Sequence, residues 1–158
     1  MRIGHGYDVH RLAAGRELVI GGVSIEHEFG LDGHSDADVL VHAVMDAVLG
    51  ALALGDIGRH FPDTDARHRG ISSMALLRHV VRLMDQAGFR LGNLDATVVA
   101  EAPKFAPFTP QMRENLAGAF DAPIDRVNVK ATTEEGLGFT GARTGIAAHA
   151  VVLLEPKV

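Results

Sequence analysis

The chain has 158 residues, 47% hydrophobic and 22% charged, proportions that fit one soluble globular domain and exclude a disordered tail protein. It contains no cysteine, so a disulfide scaffold, a thiolate metal site and a cysteine nucleophile are all excluded, and any metal must be held by nitrogen and oxygen. Lys and Arg total 15 against 20 Asp and Glu, a formal charge of −5 that gives no reason to expect wide nucleic-acid contact.

Two strand-like segments open the chain, Met1 to His10 and Arg16 to Ile20, and Gly21-Gly22 before Val23-Ser24-Ile25 predicts a hairpin return. Ser35-Asp36-Ala37-Asp38 matches the capping pattern of a serine with an acid three residues later, so a helix is expected from Asp36 to about Leu54, ended by Gly55. Between Gly55 and Gly70 lies a loop too long for a simple connector, which makes it a suspect for function. A second helix is expected over Ser72 to Ala87, a strand over Leu94 to Ala102, and a third helix over Pro107 to Phe120. Arg126 to Thr132 and Ile146 to Glu155 read as two further strands. The order predicts a single-domain α+β sandwich with helices packed on one face of a sheet. The start shows no apolar leader, and the longest apolar run is interrupted by His42 and Asp46, so a cytoplasmic protein without a membrane span is expected.

Nine histidines justify a search for a metal or acid/base site. Asp8 and His10 lie two apart on a predicted strand, so both point to one face. Asp38, His42 and Asp46 are spaced four apart, one polar stripe on a helix otherwise made of Val, Leu, Ala and Met. A helix this apolar is buried, and its stripe is satisfied if the imidazole faces a divalent cation with a carboxylate one turn away behind it. Asp8, His10 and His42 then form a three-ligand set that suits zinc and other divalent ions and leaves one position open. The plainer alternative is a solvated groove holding unpaired histidines.

His34 and Ser35 fall at the expected helix start, where free N–H groups attract anions, although Asp36 and Asp38 would repel phosphate unless a cation reverses the local sign. Thr132, Thr133, Glu134 and Glu135 run off a strand, and paired threonines with a carboxylate suit phosphate and Mg²⁺. Gly136-Leu137-Gly138-Phe139-Thr140-Gly141 matches a dinucleotide glycine motif by letter only, since too few residues follow for the acid about 20 positions on. It reads as a flexible glycine loop.

On Gly6-Tyr7-Asp8-Val9-His10, Gly33-His34-Ser35-Asp36-Ala37-Asp38, Gly55-Asp56-Ile57-Gly58, Phe61-Pro62-Asp63-Thr64-Asp65 and Lys130-Ala131-Thr132-Thr133, the chain resembles the 2-C-methyl-D-erythritol 2,4-cyclodiphosphate synthases over essentially its whole length. The resemblance implies a lyase of the non-mevalonate isoprenoid pathway that releases CMP, working as a homotrimer with active sites between subunits. It makes Asp8, His10 and His42 zinc ligands and Glu135 the holder of a second ion, Mg²⁺ or Mn²⁺. His34 and Thr133 would steady developing charge, and Ser35 would contact phosphate. Asp56, Ile57 and Gly58, with Phe61, Pro62, Asp63, Thr64 and Asp65, would line the ribose and methylerythritol side. Ala100 to Ala106, with Pro103, Lys104 and Phe105, would join Ala131 and Thr132 in a cytidine pocket, and Phe139 would complete the edge. At Gly141-Ala142-Arg143-Thr144-Gly145 the arginine stands one place later than in many relatives and the acid after it is absent. No ligand contact is therefore carried over to Arg143. The competing readings are another metal-dependent lyase or hydrolase of phosphate esters, and a non-catalytic trimer that binds nucleotides or isoprenoid diphosphates.

Overall fold

The computed structural model describes all residues from Met1 to Val158. A five-stranded sheet is built from β1 (Arg2–Ala14), β4 (Phe29–Leu31), β5 (Phe89–Val99), β6 (Val127–Thr132) and β7 (Gly145–Pro156), in the order β4-β1-β7-β5-β6. Only the β5–β6 pair is parallel, and α4 (Thr109–Phe120) supplies the crossover that a parallel pair needs. β2 (Leu18–Ile20) and β3 (Val23–Ile25) form the expected hairpin. The helices α1 (Val39–Ala51), α3 (Ser73–Gln86) and α4 cover one face of the sheet, which bears out the α+β sandwich.

The packing of α1 on β1 decides where the site falls. A Cβ added at Gly4 would lie 1.8 Å from the Ala47 carbonyl oxygen, and one added at Gly6 would lie 1.8 Å from that of Ala43. The two glycines therefore let the helix backbone rest directly on the strand. Two strand residues advance roughly 6.6 Å and four helix residues roughly 6.0 Å, so the Gly4–Ala47 and Gly6–Ala43 contacts stay in step along the two elements. Continuing the row brings the start of α1, and His42, over Asp8 and His10. Every residue of α1 except Asp46 and Gly50 is buried. Burying Leu40, Val41, Val44, Met45, Val48 and Leu49 contributes roughly 1.5–3 kcal/mol each, which offsets the poor helix propensity of its valines.

The structure corrects several expected boundaries. β1 runs on to Ala14 and pairs with β4, a three-residue strand whose central Gly30 hides it from pattern reading. β5 begins at Phe89, five residues before the expected start, and ends at Val99, so Ala100 to Ala102 lie beyond it. The long loop contains a short helix, α2 (Ile57–His60), and a 3₁₀ turn at Ala66–His68. The glycine stretch is not a flexible loop. It folds into a one-turn helix, α5 (Gly138–Gly141), with Thr140 buried and bonded to Glu134.

The largest correction is the start of α1. Ser35 does not cap it. Ala37 has a φ of 56°, which breaks helical geometry, and Asp38 is the cap, accepting from the Val41 N–H. The same buried carboxylate accepts from the N–H groups of Gly21 and Gly22 at 2.9 and 2.7 Å, so the β2–β3 turn fixes where the helix begins. His34 and Ser35 are therefore not at a free helix N-terminus, and the anion site expected there on that ground is not formed.

Candidate metal centre and the cavity beside it

Asp8 and His10 project from the same face of β1, and α1 delivers His42 against them. The Asp8 Oδ2 lies 2.9 Å from His10 Nε2 and 3.1 Å from His42 Nδ1, and the two nitrogens are 3.2 Å apart. The far nitrogen of each ring is already committed. His10 Nδ1 lies 2.8 Å from the Asp32 carbonyl oxygen, which can only accept, so that nitrogen carries the proton and Nε2 keeps its lone pair. His42 Nε2 lies 2.9 Å from the Ser73 hydroxyl, on the side away from the triad.

Asp8 Oδ2, His10 Nε2 and His42 Nδ1 thus converge on one point, an arrangement that could hold a cation. Donor atoms bound to zinc at about 2.05 Å with tetrahedral angles stand roughly 3.3 Å apart, close to the spacing found here. The set therefore fits a divalent ion with one position free. Burial would lower the His10 pKa, but the adjacent Asp8 carboxylate outweighs it and raises the imidazole above its usual value. Burial would likewise raise Asp8, yet the adjacent His10 and His42 rings pull the carboxyl down to about 2.

A cavity of about 290 Å³ opens beside the triad. Of the residues expected at the site, Asp8, His10, His34, Ser35, His42, Ile57, Gly58, Phe61, Pro62 and Asp63 line it. Met45, His68 and Leu76 also line it and were not expected; His68 packs edge-on to Phe61 with ring centroids 5.4 Å apart. Asp56 and Asp65 do not line the cavity: Asp56 caps α2, accepting from the Arg59 N–H at 3.0 Å, and Asp65 caps the 3₁₀ turn while binding the Arg67 guanidinium. Thr64 is exposed on the turn between them. Asp46 does not back His42 as the stripe suggested. It accepts from the Ile57 N–H at 2.8 Å and so ties α2 to α1.

The remaining expected residues gather elsewhere. Ala100, Pro103, Lys104, Phe105 and Ala106 form the segment after β5, which is held to β6 by the Ala100 N–H on the Thr132 carbonyl at 3.0 Å and includes a cis Ala102–Pro103 bond. Ala131, Thr132, Thr133 and Glu135 follow it at the end of β6, all exposed, and Phe139 is half-exposed on α5. Asp8, Ala148, Val98 and Ala131 lie in one row across four strands, three strand spacings or roughly 14 Å from end to end. One chain therefore brings together Asp8, His10 and His42 with the cavity wall, but not with the threonines and Glu135.

Sequence reasoning missed Ser73, and with it the use of Asp36. Ser73 is fully buried 31 residues from His42, and the one local signal was a Ser-Ser pair at a helix start.

The YgbB family model matches residues 1–155. The chain is 68% identical over 157 residues to the 2-C-methyl-D-erythritol 2,4-cyclodiphosphate synthase of Geobacter sulfurreducens, covering 99% of this chain and 100% of that one. Among solved structures it superposes on the IspF–CDP complex of Plasmodium falciparum with a TM-score of 0.88 at 32% identity, covering 99% and 97% of the two chains. It superposes on the bifunctional IspDF of Campylobacter jejuni with a TM-score of 0.94 at 43% identity, where 98% of this chain matches 42% of that one. With its fold, its full-length relatives and the family model in agreement, the chain belongs to the YgbB family.

Proposed function

We propose that the chain is a lyase of isoprenoid biosynthesis that converts 4-diphosphocytidyl-2-C-methyl-D-erythritol 2-phosphate into 2-C-methyl-D-erythritol 2,4-cyclodiphosphate and CMP. The observation that carries this reading is the Asp8, His10 and His42 triad, its lone pairs turned inward at the mouth of a cavity, in a chain whose full-length relatives bear the name of that activity. A non-catalytic binding protein is not favoured, because a nucleotide-binding role alone does not call for a cation centre with a free position.

A 2-phosphate oxygen attacks the β-phosphorus in line, a new P–O bond forms, and the bond to the bridging oxygen breaks, so CMP leaves with the electron pair. The reaction is intramolecular, so most of the acceleration comes from folding the substrate back on itself and offsetting charge. No protein nucleophile is required. Asp8, His10 and His42 would hold Zn²⁺, which when bound supplies Lewis-acid polarisation of the β-phosphoryl group. His34 and Ser35 offer donors to phosphate oxygens from the cavity wall, while Ile57, Gly58, Phe61 and Pro62 enclose the methylerythritol carbon skeleton and exclude water. Thr133 steadies the developing charge, and Glu135 would hold Mg²⁺ or Mn²⁺, which when bound would offset the charge of the diphosphate. The Ala100–Ala106 segment with Ala131 and Thr132 receives the cytosine, while Asp56, Ile57 and Gly58 lie on the ribose side.

The two residue groups work together if they come from adjacent copies in a homotrimer. Two observations support that assembly. The groups stand about 14 Å apart within one chain. The sheet face opposite the helices leaves Ile3 72%, Tyr7 46%, Val9 43% and Val151 46% exposed, an apolar surface suited to burial between copies. No helix is long and apolar enough to cross a membrane, which accords with a cytoplasmic enzyme acting on a soluble nucleotide.

The test is product analysis of purified protein supplied with zinc, Mg²⁺ and the authentic substrate. Equimolar CMP and cyclic diphosphate without solvent oxygen incorporation are expected. Linear products carrying solvent oxygen would point to a hydrolase, and no CMP at all would overturn the enzyme reading.

A further inference from the structure

The face of His42 turned away from the triad meets a chain of side chains to which the proposed chemistry gives no role. His42 Nε2 lies 2.9 Å from the Ser73 hydroxyl, and Ser73 is wholly buried. The Ser73 hydroxyl also bonds Asp36 Oδ1, and a carboxylate only accepts, so the serine proton is committed there. What the hydroxyl offers His42 is a lone pair. Nε2 must then carry the ring proton, which leaves Nδ1 free to face the cation. Asp36 itself cannot swing away, because its Oδ2 accepts from the Ser73 N–H at 3.0 Å and its Oδ1 from the Asp38 N–H at 3.2 Å.

The same carboxylate serves α3. Ser73 is the first residue of that helix, and its N-cap, Ser72, makes no side-chain capping bond. Asp36, reaching across from the segment before α1, satisfies one of the free N–H groups and places a negative charge at the helix start. We propose that Ser73, anchored by Asp36, is a positioning residue that sets the tautomer and aim of His42, coupling metal binding to the seating of α3. The proposal rests on the metal reading of the triad. A cation on Nδ1 makes Nε2–H a stronger donor and so tightens the bond to α3, whose Leu76 forms part of the cavity wall. Ser35 is the one other hydroxyl near Nε2, at 3.2 Å, and it is only half-buried on the cavity side.

The experiment is a zinc titration of the full-length protein against a chromophoric chelator. Ser73→Ala is expected to weaken zinc binding roughly 10- to 100-fold, the usual loss for a partner standing behind a metal-bound histidine. Asp36→Asn, which keeps the shape and removes the charge, should fall between wild type and Ser73→Ala, and Ser72→Ala should match wild type within about two-fold. Long-range ¹H–¹⁵N spectra of the metal-free wild type should show the His42 proton on Nε2, a readout that stands even if Ser73→Ala fails to fold. A proton on Nδ1, unchanged zinc affinity in Ser73→Ala, or a lowered unfolding midpoint with unchanged affinity would each overturn the relay. Wild-type protein that binds no zinc would instead overturn the metal reading itself.

Discussion

Around Asp8, His10 and His42 the side chains hold one another across the fold, whereas Thr132, Thr133 and Glu135, at the same end of the sheet, are exposed and the threonine hydroxyls bond only neighbouring backbone. The first group is fixed by the close approach of α1 to β1 and by bonds from Asp32 and Ser73. The second sits on a strand end and a turn in which Glu135 holds a φ of 54°, a left-handed conformation costing roughly 1 kcal/mol for a residue with a side chain. The contrast shows that the Asp8, His10 and His42 group is built by the folding of one chain, whereas under the proposed function the Thr132, Thr133 and Glu135 group is completed by a neighbouring chain and a ligand.

The largest effect should follow from breaking the finished group. His42→Ala should abolish zinc binding and lower turnover by about 10³-fold or more, while the unfolding midpoint of the metal-free protein changes little, as metal analysis and steady-state assays would show. Asp38→Ala attacks the scaffold instead of the chemistry. It strips the acceptor from Gly21, Gly22 and Val41 and should cost on the order of 3 kcal/mol in denaturant unfolding.

The exposed group should answer in the opposite way. Glu135→Gly removes the carboxylate and relieves the left-handed backbone, so turnover should fall about 100-fold with weaker Mg²⁺ dependence while stability stays level or rises by up to about 1 kcal/mol. Zinc content should not change. The smallest effect belongs to Asp95 and Lys130, outside both groups. Lys130 Nζ lies 2.6 Å from both Asp95 oxygens and holds the carboxyl below its ordinary value. A depressed carboxyl adds stability that is present above the unfolded pKa and lost as pH falls through the folded one. Because the pair is exposed, Lys130→Ala should flatten that acid limb by no more than about 0.5 kcal/mol in unfolding scans.

The same contrast explains what could be read in advance. Asp8 and His10 at strand spacing, and His42 on a buried helix, are local patterns, and they came together as expected. The start of α1 was misplaced because the Gly21 and Gly22 N–H groups, distant in sequence, choose Asp38 over Ser35 as the cap. Ser73 was missed for the same reason, its partner being 31 residues away. The one-turn helix α5 was read as a flexible loop because its glycines give no periodic signal, while the contact that orders it is the buried Thr140 on Glu134. No local pattern reveals that the strands carrying Asp8 and leading to Glu135 lie three positions apart in the sheet, since that follows only from the strand order.

The claim that the site is shared between chains is tested most directly by mixing two inactive variants, His42→Ala and Glu135→Gly, in one co-expressed assembly. If each site takes its metal ligands from one copy and its threonines and Glu135 from the next, random trimers contain mixed interfaces with both halves intact, and about a quarter of wild-type activity should return. No recovery above the separate variants would show that one chain supplies both halves, contradicting the account.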